Sequence, residues 1–260
     1  MGRAITIQGR WRVAGASVIG KQHEQAGGQC EDAWSCARRA LQRGHEVVAV
    51  CLSDGAGSAA NGRAGARIVS RALAYWLVAN ADKVIGGTAN DQKRVIVSPL
   101  KRVLRRAALR NGATLRSYAC TVVATLTTTD GRWLTVHIGD GAIVGAFAGT
   151  LRIVSAPQKG EFANETFFVT DDDSLESVQI QSGEAGDPDP PPEAFALFTD
   201  GIEGLLINRR TGEISRVLAD MFGWLKNNAE SDVSAALDTN LKRVFRERTN
   251  DDCSLVLIVQ

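Results

Sequence analysis

Val47-Val48-Ala49-Val50-Cys51-Leu52-Ser53-Asp54-Gly55-Ala56-Gly57-Ser58 is an apolar, β-branched run that stops abruptly at an acid and two glycines. A short apolar run with turn residues behind it reads as a strand buried on both faces. Such a strand delivers Asp54 to the end of a sheet. Gly55 and Gly57 let the backbone turn tightly and come close to whatever the acid holds. Two readings are open here. Asp-Gly is a common turn, and a carboxylate at a strand end can also hold a cation. The choice depends on whether the same device recurs.

Behind this stretch the pattern turns helical: residues 62–79 place Ile68, Val69, Ala72, Leu73, Trp76 and Leu77 on one face. Ahead of it, Trp11 to Gly20 reads as a first strand, His23 to Gln29 as a loop, and Ala33 to Ala37 as a short strand. Ala81 to Asp91 reads as a loop, and Ser98-Pro99 predicts a helix start that runs to Asn111-Gly112. Lys101, Arg102, Arg105, Arg106 and Arg110 line the polar face of that helix. Without interleaved aromatics they read as a solvated face rather than a nucleic-acid site.

Strands are predicted over Cys120–Thr127, Trp133–Ile138, Ala142–Phe147 and Leu151–Ser155. Residues 156–194 are polar and irregular, with a short strand expected near Phe167–Thr170. Phe195 to Thr199 is a strand, two helices follow at about 213–226 and 232–247, and Ser254 to Val259 is the last strand. No internal repeat or linker divides the chain, so one domain over 1–260 is expected.

Bulk properties narrow the function. The net charge is +1, which gives no overall field for nucleic acid or a membrane surface. The five cysteines are scattered and never in C-x-x-C spacing, which argues against a disulfide framework or thiolate zinc site and for a reducing compartment. Met1-Gly2-Arg3-Ala4-Ile5-Thr6 fits the short myristoylation pattern but not a secretory signal. A soluble cytoplasmic protein is the expectation.

The acid device does recur. Glu31-Asp32 lies at a strand start, Asp140 lies in Gly-Asp-Gly between two strands, Asp200-Gly201 follows a strand, and Asp251-Asp252 opens the last one. If these ends meet, each like-charge pair costs on the order of 1–4 kcal/mol. Hard divalent cations with oxygen ligands neutralise such a cluster. Two ions about 3.5–4 Å apart would share a carboxylate and generate a hydroxide for in-line attack on a phosphoryl group. The sequence offers no G-x-S-x-G and no H-E-x-x-H as a rival chemistry.

At these residues the chain resembles the PP2C-type (PPM) metal-dependent Ser/Thr protein phosphatases. The resemblance covers nearly the whole chain in order: Glu31-Asp32-Ala33, Asp54-Gly55-Ala56-Gly57, Ala119-Cys120-Thr121-Val122-Val123, Gly139-Asp140-Gly141-Ala142, Thr199-Asp200-Gly201-Ile202 and Asp251-Asp252-Cys253-Ser254. His23 and Asn164-Glu165-Thr166 are similar to a bacterial subgroup.

The resemblance implies an α+β, four-layer αββα fold, with a central antiparallel β-sandwich flanked by helices on both faces. It implies that Asp54 bridges two Mn2+ or Mg2+ ions, with Asp200 and Asp251 on one and Glu31 and the Gly55 carbonyl on the other. Asp32 would hold metal-bound waters, and Asp140 would serve a third, looser ion. Residues 156–190 match a flap beside the site. The implied activity is hydrolysis of phosphoserine or phosphothreonine in a protein substrate, opposite a Ser/Thr kinase.

The chain departs from the family in two places. The Arg expected four residues before Glu31 is Gly27, leaving His23 or Lys21 as candidates for the substrate phosphate. A His often found after the Asp-Gly is Ala56, so that loop supplies no acid. The missing Arg keeps a second reading open, a catalytically weak or dead binding module on the same fold. A third is a phosphatase for a small phosphorylated regulator.

Overall fold

The computed structural model describes residues 10–158, 166–187 and 189–260. The myristoylation pattern at the start and Asn164-Glu165 lie outside the described residues. Among the described residues, ten strands form two antiparallel sheets. They are β1 (Arg12–Val18), β2 (Ala33–Ala40), β3 (Glu46–Ser53), β4 (Val122–Thr128), β5 (Trp133–Ile138), β6 (Ala142–Phe147), β7 (Thr150–Ser155), β8 (Gln179–Gly183), β9 (Ala194–Phe198) and β10 (Cys253–Val259). One sheet runs β1-β10-β9-β6-β7 and the other β2-β3-β4-β5-β8. The helices are α1 (Lys21–Gln25), α2 (Gly62–Ala79), α3 (Ala81–Ile85), α4 (Ala89–Arg110), α5 (Ser174–Ser177), α6 (Asp200–Leu206), α7 (Val217–Asn227) and α8 (Glu230–Asn240).

Alternation along the central strands makes the layers. In β3, Val48, Val50 and Leu52 point between the sheets, where they meet Val256 and Ile258 of β10 and Leu197 of β9. Val47, Ala49 and Cys51 point the other way, onto Leu73 and Leu77 of α2 and Leu100 and Leu104 of α4. In β10, Leu255, Leu257 and Val259 face Leu218 and Leu225 of α7 and Leu237 of α8. Both faces of each sheet are covered, so β3 and β10 read as unbroken apolar runs rather than alternating ones. The expected four-layer αββα architecture is the one observed.

Several local expectations fail. The stretches read as loops, His23 to Gln29 and Ala81 to Asp91, carry α1 and α3. α4 begins at Ala89, not at Ser98, and Pro99 lies inside it. The start is set by Thr88, whose hydroxyl accepts from the Asp91 N–H at 3.3 Å, a cap that lay inside the predicted loop. Tertiary packing of Ile96, Val97 and Leu100 holds the turn around Pro99 despite its missing N–H. Phe167–Thr170 is not a strand; its Val169 N–H makes a single bond to Cys120 O. A strand does form later in the irregular segment, β8, paired with β5 at the sheet edge. Its sequence, Gln-Ile-Gln-Ser-Gly, carries almost no strand signal, because edge pairing is made by backbone alone.

Candidate metal centre

Strand register brings the acidic ends together. The β2–β3 register pairs Ala33 with Ser53, so Asp32 and Asp54 follow directly across from one another. The β9–β10 register pairs Phe198 with Leu255, which sets Asp200 beside the residues that open β10. The β4–β5 pair ends at Val122 and Ile138, and Asp140 follows two residues later.

Local bonds then fix each backbone. The Asp54 N–H donates to Thr121 Oγ1 at 3.1 Å, and the Thr121 N–H donates to the Asp54 carbonyl at 2.8 Å. The Gly55 N–H donates to the Glu31 carbonyl at 3.3 Å. A Cβ on Gly55 would overlap the Gly62 backbone, so only glycine lets this loop lie against the start of α2. Arg63 on that first turn donates from Nε to the Cys30 carbonyl at 3.0 Å, tying α2 to the segment that enters Glu31.

The carboxylates repel. Burial first, then the charges of Asp32, Asp200, Asp251 and Asp140, push the Asp54 carboxyl well above the usual range. Asp32 is raised to about 7 by burial and by Asp252, against hydrogen bonds from Ser254 and Thr199. Asp200 is raised to about 7 by burial and by Asp140, Asp251 and Asp32. Glu31 is raised by burial, with His23 pulling the other way. A cluster of this kind needs positive charge to sit ionised at neutral pH.

The donor set fits a hard divalent cation. Glu31 Oε2, Asp32 Oδ1 and Asp200 Oδ1 are buried oxygens with no hydrogen-bond partner among the described residues. A cation supplies what each lacks. Among the described residues, no three His, Cys, Asp or Glu groups close into a compact cage. The all-carboxylate, all-oxygen donor set suits Mg2+-like ions, which keep several waters and use one or two carboxylates each.

The two cation candidates separate. Lys21 Nζ lies 2.8 Å from Glu247 Oε2 and is committed to that pair. His23 Nδ1 lies 3.1 Å from Asp252 Oδ1, near enough for an ion pair though poorly aligned as a hydrogen bond. On the other side of the ring, a Cβ built on Gly57 would stand 3.9 Å from His23 Nε2 and 3.5 Å from Glu31 Oε2. Burial lowers the His23 pKa, but its contact with Asp252 and the charges of Asp252, Glu31 and Asp251 outweigh it, and the net shift is upward. Gly27, where the family carries Arg, has φ +71°, a conformation strained for any other residue.

The two acids of Asp251-Asp252, of which the resemblance gives a role only to Asp251, differ in the structure. Asp251 is exposed at the cluster, whereas Asp252 is buried and accepts from Gly20 N–H and Glu31 N–H, both at 2.6 Å. Thr199, the residue before Asp200, has a role that the sequence alone does not reveal: its hydroxyl donates to Asp32 Oδ2 at 2.9 Å. Asp140 Oδ2 accepts from Thr166 at 2.6 Å, which ties the irregular segment to the cluster.

Comparison with known proteins identifies the family. Residues 19–244 match the family described as Protein phosphatase 2C. Serine/threonine-protein phosphatase 3 of Escherichia coli (strain K12) is 32% identical over 205 residues, 76% of this chain and 76% of that one. The serine/threonine phosphatase Stp1 from Staphylococcus aureus shares the fold at a TM-score of 0.62 and 14% identity, over 100% of this chain and 99% of that one. The catalytic domain of the phosphatase PstP, solved in complex with two manganese ions, does so at a TM-score of 0.59 and 16% identity, over 96% and 97%. The chain belongs to the protein phosphatase 2C family, the metal-dependent protein serine/threonine phosphatases.

Proposed function

We propose that this chain hydrolyses phosphoserine and phosphothreonine in cytoplasmic phosphoproteins, opposite a Ser/Thr kinase, with Mn2+ or Mg2+ as cofactor and as one domain over 1–260. Asp54, Asp200, Asp251, Glu31 and the Gly55 carbonyl would hold two ions, and Asp140 would hold a third. The observation that carries this reading is the convergence of buried, partnerless oxygens of Glu31, Asp32 and Asp200 around the Asp54 loop. Bound divalent ions there supply a water of lowered pKa and screen the charge of the phosphoryl group.

The chain's own residues do the rest. Asp32, held by Thr199, orients water on the buried side of the cluster. Thr121 holds the Asp54 backbone in place. His23 is the proton donor for the departing serine alkoxide: the Asp252 carboxylate lies 3.1 Å from Nδ1 and favours the protonated ring, and the Nε2 side of the ring faces the Gly57 turn. Thr166 links the flap of residues 156–190 to Asp140. The intact acid set argues against a dead binding module.

The test is turnover of p-nitrophenyl phosphate and a phosphothreonine peptide with Mn2+, before and after Asp54→Asn. Loss of the bridging charge should cut kcat by at least about 10²-fold. An Asp54→Asn protein as active as its parent overturns the reading.

A further inference from the structure

Next to Asp200 is a cleft of about 940 Å3 that the proposed chemistry does not use. One wall is α6, from Asp200 through Gly204. Opposite it runs the segment from Asn208 to Arg216, and Arg248 and Thr249 close the end. Four arginines line it: Arg209, Arg210, Arg216 and Arg248. Among the described residues, the acids in the lining are Asp200 and Glu213.

The four cations are not equivalent. Arg209 Nε lies 2.6 Å from Glu203 Oε2, a carboxylate only 2% exposed, so Arg209 is anchored and its charge is matched. Arg210, Arg216 and Arg248 are exposed, and among the described residues none of their side chains has an ion-pair or hydrogen-bond partner. The whole chain carries only +1, so this concentration of charge is local. A concave, partly shielded surface on which one sign of charge predominates focuses its field on a ligand of the other sign. Guanidinium groups match phosphate and carboxylate oxygens in pairs, which suits an anionic peptide.

We propose that this cleft is a substrate subsite that holds acidic residues flanking the phosphoserine while the phosphoryl group sits at the carboxylate cluster. The proposal rests on the phosphatase reading above and adds to it a preference the metal site alone does not supply. The shared residue is Asp200, which belongs to the cluster and to the cleft wall. A peptide running from one to the other therefore needs no gap in its path. Extended chain advances about 3.3–3.6 Å per residue, so a few positions on one side of the phosphoserine fill the cleft.

The experiment compares two phosphoserine peptides that differ only in flank, one Asp/Glu-rich and one Ala-rich. With Mn2+, the parent should favour the acidic peptide by about tenfold in kcat/KM, mainly through KM, since several exposed charge contacts together reach that size. The preference should shrink as salt rises. R210A/R216A/R248A should bring the ratio near one, and R210E/R216E/R248E should invert it toward a Lys-flanked peptide. A parent without flank preference, or a triple variant that keeps it, overturns the proposal.

A second readout needs no turnover. Fluorescence anisotropy of the labelled acidic peptide, with Ser in place of phosphoserine, should show binding to the parent that is lost in the triple variant. If p-nitrophenyl phosphate is not hydrolysed but this binding stands, the phosphatase reading has failed and the cleft assignment has not. If hydrolysis stands and binding is absent, the cleft assignment alone has failed.

Discussion

Asp252 accepts from two backbone N–H groups on different segments and touches a third group, His23. It fixes the Gly20 turn and the start of Glu31 relative to the last strand. Each of those buried donors would cost about 1–3 kcal/mol if left unpaired. The role is invisible in Asp251-Asp252, because two adjacent acids look alike until the chain decides which one faces inward. Gly27 is legible in the opposite sense: the sequence shows glycine where the resemblance leads one to expect Arg, and the structure gives that glycine a left-handed backbone. The His23 assignment yields a prediction at this scale. A serine alkoxide needs a proton to leave, whereas p-nitrophenolate does not. His23→Gln should therefore lower kcat on a phosphoserine peptide by about 10²-fold and lower it far less on p-nitrophenyl phosphate. Equal losses on both substrates would reduce His23 to a packing or phosphate-binding residue.

Among the elements, β3, α2 and β10 were readable because their apolar patterns carry the whole signal. The α4 start and β8 were not: one depends on a single Thr88 cap, the other on backbone pairing at an edge. The junction between α6 and β10 depends on a contact that no pattern reveals. A Cβ on Gly201 would overlap the Asp252 carbonyl oxygen, so the first turn of α6 can meet the last acidic pair only through glycine. Gly201→Ala should destabilise the fold by about 1–3 kcal/mol and weaken Mn2+ binding, because it separates Asp200 from Asp251. Gly223 is the control. It lies within α7, and a Cβ there meets nothing within 4 Å. The same substitution at Gly223 should be stabilising by about 0.5–1 kcal/mol, with Mn2+ affinity kept. Thermal melts and calorimetry on the pair read both effects, and like behaviour of the two variants would refute the assigned contact.

For the whole molecule, the sandwich gathers strand ends, and with them charges that the metal-free fold holds at a cost. Asp32 and Asp200 have carboxyls raised to about 7, against an ordinary value of 3.8. The folded metal-free protein therefore binds more protons than the unfolded chain between about pH 4 and pH 7. By linkage these two groups contribute stability that is fully present below the unfolded value and is lost as pH rises through about 7. Cations and protons compete for the same oxygens, so metal binding strengthens as those protons leave. Mn2+ at about 100 times its Kd should stabilise the fold by about 2.7 kcal/mol. For a chain of this size that is a Tm increase of about 5–10 °C. The increase should be largest near pH 8 and should shrink toward pH 5.5, while metal-free Tm from these groups moves the other way. A Tm shift independent of pH, or one retained in Asp54→Asn, would place the cation somewhere other than among these carboxylates.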